Sequence, residues 1–98
     1  MIVSFKDKGT KDVFDGNDSK DARKTCSINL WNVAQIKLDQ LNAAISLDDM
    51  KAPLVNRLEA LKSGRKGQYS IRINDQYRIC FVWKTEGACE IKIVDYHD

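Results

Sequence analysis

The last six residues, Ile93-Val94-Asp95-Tyr96-His97-Asp98, place the only histidine of the chain one position from its end. Chain ends usually fray, yet an apolar run leading into Asp-Tyr-His reads as a strand that delivers three polar groups to a fixed place. His97, Tyr96 and Asp95 are candidate proton carriers, and Glu59 is a fourth. Lys62, Arg65 and Arg78 are candidate phosphate stabilisers, the arginines having the better fork geometry. These residue types suit metal-free phosphoryl chemistry. When an RNA 2′-hydroxyl attacks its own phosphate, a base must take the hydroxyl proton, an acid must protonate the leaving oxygen, and cations must stabilise the charge growing on the phosphate. Singly, each residue has a plainer role as a solvated histidine, an edge tyrosine, a surface carboxylate or a sheet cation.

Other chemistries are less well supplied. Cys26, Cys80 and Cys89 show no C-x-x-C spacing, and one histidine is too few for an ordinary zinc site. Each cysteine reads as a small hydrophobe rather than a nucleophile. Asp48-Asp49 reads as a helix terminator. Ser63-Gly64-Arg65-Lys66-Gly67 lacks Walker or dinucleotide spacing and reads as a hairpin turn whose basic side chains can grip phosphate. No local signature marks a Ser-His or Cys-His nucleophile. No metal and no cofactor is expected.

Charge supports a polyanionic partner. Residues 1–50 sum to −1 and residues 51–98 to +3, while the window 57–78 alone carries +4. Arg57, Lys62, Arg65, Lys66, Arg72 and Arg78 supply that window, against Glu59 and Asp75. Such a patch favours nucleic acid, although a solvated sheet face is the commoner reason for a charge run. A chain of 98 residues, 43% hydrophobic and 31% charged, is expected to be one folded domain over 1–98. The charged first twenty residues, the short apolar runs and the odd cysteine count point to a cytoplasmic protein with reduced thiols and no membrane contact.

The elements that must position these groups follow from periodicity. Ile2–Phe5 is a short strand candidate. Lys8–Asp15 reads as a helix stopped by Gly16, and Asn17-Asp18-Ser19 can cap a second helix. Cys26, Leu30, Val33/Ala34, Lys37/Leu38, Leu41 and Ala44/Ile45 recur at helical spacing. They predict one long helix over 21–45, ended by 46–50 and Pro53. Beyond Pro53 the period becomes two. Strands are expected near 57–62, at 69–73, at 77–83 and at 88–94, joined by turns at Asn74-Asp75 and Gly87. The predicted fold is α+β, with two N-terminal helices packed on a small, mainly antiparallel sheet. The other face of that sheet is left for Arg72 and Arg78.

The stretch "RLEALKSGRKGQYSIRINDQYRICFVW" followed by "IKIVDYHD" resembles the HigB-like killer toxins of bacterial type II toxin–antitoxin modules, within the RelE/ParE superfamily. The opening "MIVSFKDKGTKDVF" is similar to the same branch, with its Phe-Lys-x-Lys-Gly turn. The ordered motifs L-x-x-L-K, R-x-G-x-[YW]-S-I, [WY]-R-I-x-F and V-D-Y-H carry the resemblance, which is strong over 57–97 and weak over 15–50. It implies a metal-independent endoribonuclease that cuts mRNA in the ribosomal A site. It also implies a helix-turn-helix antitoxin partner, HigA-like, through which operator DNA is engaged only indirectly.

By position, the resemblance implies proton transfer by His97, with Asp95 and Tyr96 helping to hold the RNA. Lys62 matches the lysine near the phosphate, and Arg78 the arginine facing the same cleft. Gln76 matches an amide that contacts the codon in some relatives, and Tyr77 an aromatic able to stack on a base. Some relatives have histidine where this chain has Glu59, so a two-histidine acid–base pair is impossible here. Ser63-Gly64 replaces a frequent Gly-Asp, and Asp98 extends past His97. Two alternatives follow: a ParE-type gyrase poison without ribonuclease activity, or a degenerate toxin that keeps only antitoxin binding.

Overall fold

The computed structural model describes residues 1–61 and 67–95. Lys62, Arg65, Lys66, Tyr96 and His97, all candidate site residues, lie outside the described residues, as do Ser63, Gly64 and Asp98. Helix α1 spans Lys8–Asp15. Asp7 caps it, the carboxylate accepting from the Thr10 N–H at 2.8 Å. Gly16 ends it by turning left-handed at φ 78°, while the Asn17 N–H donates back to the Asp12 carbonyl at 2.8 Å. Ser19 then caps α2 (Lys20–Thr25), its hydroxyl accepting from the Ala22 N–H at 3.0 Å.

The continuous helix expected over 21–45 is broken. After α2, Cys26 and Ser27 are extended, Ile28–Leu30 form one 3-10 turn, and α3 runs Trp31–Ala43. Thr25-Cys26-Ser27 is a run of weak helix formers. The Cys26 carbonyl accepts from the Trp31 indole N–H at 3.0 Å instead of from a helical amide. The described residues therefore hold three α-helices rather than two. Because α3 stops at Ala43, Ile45 is 93% exposed instead of joining the apolar face. No helix among the described residues is long and apolar enough to cross a membrane.

Among the described residues four antiparallel strands follow, in the order β1 (Glu59–Ala60), β2 (Gln68–Arg72), β3 (Tyr77–Lys84) and β4 (Gly87–Asp95). The β2–β3 turn falls where Asn74-Asp75 predicts it. The Asn74 side-chain oxygen accepts from the Gln76 and Tyr77 N–H groups at 2.9 and 2.7 Å. Residues 2–5 lie parallel to β4 but bridge it only at Ile2–Ala88 and Phe5–Ile91. Side chains close the rest of that edge: the Glu90 N–H donates to the Ser4 hydroxyl at 2.9 Å, and the Ile93 N–H to the Thr10 hydroxyl at 3.0 Å. The core lies between the layers. Val13, Ala22, Ala34, Leu38 and Leu41 of the helices pack with Ile71, Ile79, Phe81, Ile91 and Ile93 of the sheet.

Candidate active site

Directly opposed residues on antiparallel strands project from the same face. With Ile71, Ile79, Phe81 and Ile93 turned to the core, the register leaves a grid on the outer face. One row across all four strands is Glu59, Ser70, Cys80 and Lys92, and the next is Arg72, Arg78 and Val94. A groove of about 420 Å³ runs over this face, with Gln68, Cys80, Lys92 and Val94 in its lining.

Arg78 is the best-anchored group on that face. It is 8% exposed, so its guanidinium needs partners to offset desolvation. Its Nε donates to the Ser70 hydroxyl at 3.0 Å and its Nη2 to the Arg57 carbonyl at 2.7 Å. The Glu59 carboxylate lies 3.8 Å from Nη2. These contacts hold the guanidinium plane at one orientation, as recognition of a planar or tetrahedral anion requires.

The other described candidates divide. Glu59 stands beside Arg78 and is exposed. Asp95 ends β4 opposite Tyr77, so by the same alternation both project from the helix-facing side of the sheet rather than beside Arg78; the Asp95 carboxylate accepts from the Gln76 side-chain amide at 3.1 Å at the mouth of the β2–β3 turn. Arg72 shares the row of Arg78 but is engaged by the Asp75 carboxylate at the hairpin tip. Tyr77 is half-buried against the core, which leaves part of its ring at the surface. Arg57 reaches Arg78 through its backbone carbonyl rather than its side chain, at a left-handed position with φ 48°.

Ser70 and Lys92 stand on the candidate site's face, and sequence reading did not single them out. Both were legible as outward positions, since Ser70 lies between Tyr69 and Ile71 and Lys92 between Ile91 and Ile93. Cys26 and Cys89 are buried, and burial pushes the Cys26 thiol upward in pKa, away from nucleophilic use. Among the described residues, no three His, Cys, Asp or Glu side chains gather into a metal-ligand group.

A family model described as "RelE-like toxin of type II toxin-antitoxin system HigB" matches residues 3–97. The chain belongs to the HigB-like toxin family. It is 39% identical over 97 residues to Toxin HigB-1 of Vibrio cholerae serotype O1, a match covering 99% of this chain and 98% of that protein. An uncharacterized protein of Haemophilus influenzae is 40% identical over 58 residues, covering 59% of this chain and 55% of its own length. A toxin of a type II module has an antitoxin partner, so this HigB-like toxin acts in a pair. Its α+β architecture agrees with a RelE-like toxin.

Proposed function

We propose that this toxin is a ribosome-dependent, metal-independent endoribonuclease that arrests translation in the cytoplasm by cutting mRNA in the A site. The observation that carries the reading is the orientation of Arg78 on the outer sheet face, with Glu59 beside it and the end of β4 one position beyond Val94, its cross-strand partner. A guanidinium held in this way suits a phosphate whose charge rises during reaction.

In the proposed reaction, Glu59 or His97 takes the proton of the RNA 2′-hydroxyl. The freed oxygen attacks the adjacent phosphorus, and the bond to the 5′-oxygen breaks. His97 or Tyr96 protonates that leaving oxygen, giving a 2′,3′-cyclic phosphate and a free 5′-hydroxyl. Arg78, with Lys62 and Arg65, stabilises the phosphate. Arg57, Lys66 and Arg72 hold the strand through charge, Gln76 through amide contacts and Tyr77 through stacking, while Asp95 accepts a hydrogen bond from a base or sugar donor. The ribosome supplies the opposite wall, so the toxin needs only an open groove. The partner is a HigA-like helix-turn-helix antitoxin, through which operator DNA is contacted indirectly.

The test is a bacterial translation extract with a defined message and 5′ ends mapped by primer extension. Cuts within translated codons that require ribosomes and vanish with His97→Ala support the reading. Cuts that survive in His97→Ala move the proton transfer to Glu59 or Tyr96. Folded protein that makes no cuts overturns the nuclease reading, and inhibition of gyrase supercoiling by the same preparation identifies a ParE-type activity.

A further inference from the structure

The segment between α3 and β1 folds back on α3 and ends at the Arg57 carbonyl that holds Arg78. Asn56, fully buried, is its hub. The Lys37 ammonium of α3 donates to Asn56 Oδ1. The Asn56 amide nitrogen faces three acceptors at 3.2 Å: Gln40 Oε1 of α3 and the carbonyls of Met50 and Ala52. The Gln40 amide also donates to the Ala52 carbonyl. A buried carboxamide satisfied on both ends permits little movement. The next residue, Arg57, takes the left-handed conformation (φ 48°, ψ 56°), its N–H donating to the Leu54 carbonyl at 3.1 Å. That turn aims its own carbonyl at Arg78 Nη2.

Lys37 is otherwise hard to explain. It is 9% exposed, and burial pushes its ammonium below the ordinary lysine range. Its side-chain hydrogen bond goes to Asn56, an expensive way to hold a loop unless the position of that loop matters.

We propose that Asn56, held by Lys37 and Gln40, is a positioning residue that orients the Arg78 guanidinium through the Arg57 carbonyl, with Ser70 fixing the other side of the same plane. The helix layer thereby sets the geometry of a group on the far face of the sheet. What Arg78 is oriented for rests on the nuclease reading, whereas the orientation itself does not.

Two measurements separate these questions. The guanidinium Nε–Hε resonances of 15N-labelled toxin report the setting of each arginine, and the Arg78 signal is the one lost in Arg78→Lys. In folded Asn56→Ala, the Arg78 signal is expected to shift and its Hε to exchange faster with water, although the Asn56 side chain shares no hydrogen bond with Arg78 among the described residues. The signals of Arg23 and Arg72 should stay in place. In the translation extract, Asn56→Ala is expected to lower kcat on the order of 10- to 100-fold with little change in KM, and to add nothing to Arg78→Ala. A folded Asn56→Ala with an unmoved Arg78 signal overturns the proposal. If Asn56→Ala does not fold, Lys37→Met carries the same test, and an unmoved signal there overturns it too. A shifted signal in a toxin whose wild type cuts no RNA supports the positioning and overturns the nuclease reading instead.

Discussion

Arg78 shows how its surroundings fix the orientation of a single side chain. Ser70 and the Arg57 carbonyl occupy its Nε and Nη2 directions, so lysine, with one rotatable ammonium, cannot reproduce the fork. Arg78→Lys is expected to lower the cleavage rate by about 100-fold in the translation extract, the scale of losing one preorganised donor at a developing anion. Asp12 is a residue-scale determinant of stability. Its carboxylate accepts from the Lys8 ammonium and the Ser19 hydroxyl, both at 2.6 Å. The Lys8 bond above all, then the Ser19 bond, holds its pKa below the ordinary 3.8. The unfolded chain therefore binds this proton first as pH falls. The stabilisation is complete above the unfolded value and is lost as pH drops through the folded one. Thermal melts from about pH 6 down to about pH 2 should fall less steeply for Asp12→Asn than for wild type, from a lower starting point.

At the scale of elements, the close approach of α1 to α2 depends on Gly9. A Cβ there would lie 1.9 Å from Thr25 Oγ1 and 2.7 Å from the Asp21 carbonyl oxygen. The threonine hydroxyl can swing away, but the backbone oxygen cannot. Gly9→Ala should destabilise the fold by about 1–3 kcal/mol, the usual penalty of overpacking, as read from urea unfolding. The β3–β4 pair carries a complementary irregularity. The register shifts between Cys80 and Val82, and Glu90 sits opposite the shift at φ 51°, a conformation that disfavours a residue with a Cβ. Glu90→Gly relieves that strain while gaining chain entropy when unfolded. The net expectation is a stability equal to or up to about 1 kcal/mol above wild type, where glycine inside a regular strand would destabilise.

At the scale of the molecule, the two layers are joined by hydrogen bonds as well as by the apolar core. The Thr10 hydroxyl of α1 is fully buried and accepts from the Ile93 N–H of β4, at the open edge of the sheet. Thr10→Val keeps the shape and removes the acceptor, which strands a buried amide. Calorimetry should show a loss of about 1–3 kcal/mol, with Thr10→Ser largely restoring it. The same edge is closed further along by residues 2–5, so the N-terminal segment and α1 together keep β4 from pairing with another chain. Strand β4 is thus held by β3 on one side up to Asp95, and on the other by the N-terminal segment and Thr10 up to Ile93.

Much of this was legible in the sequence. Alternation at Tyr69/Ile71/Ile73, at Tyr77/Ile79/Phe81 and at Ile91/Ile93 marks strands, because a period of two separates core-facing from outward side chains. Gly16 and Ser19 mark the boundary between the first two helices because the backbone groups at helix ends need those particular residues. The outward placement of Arg72 and Arg78 follows from the same alternation. The break after Thr25 was not legible: apolar residues keep helical spacing across it, and the group that satisfies the Cys26 carbonyl is an indole five residues away. Nor was the role of Asn56, whose partners come from α3 and from two carbonyls of its own loop. Local pattern determines which side chains face outward, since that depends only on the backbone period. Which of them meet depends on strand register and on buried polar contacts between segments distant in the chain, and only the tertiary structure decided that.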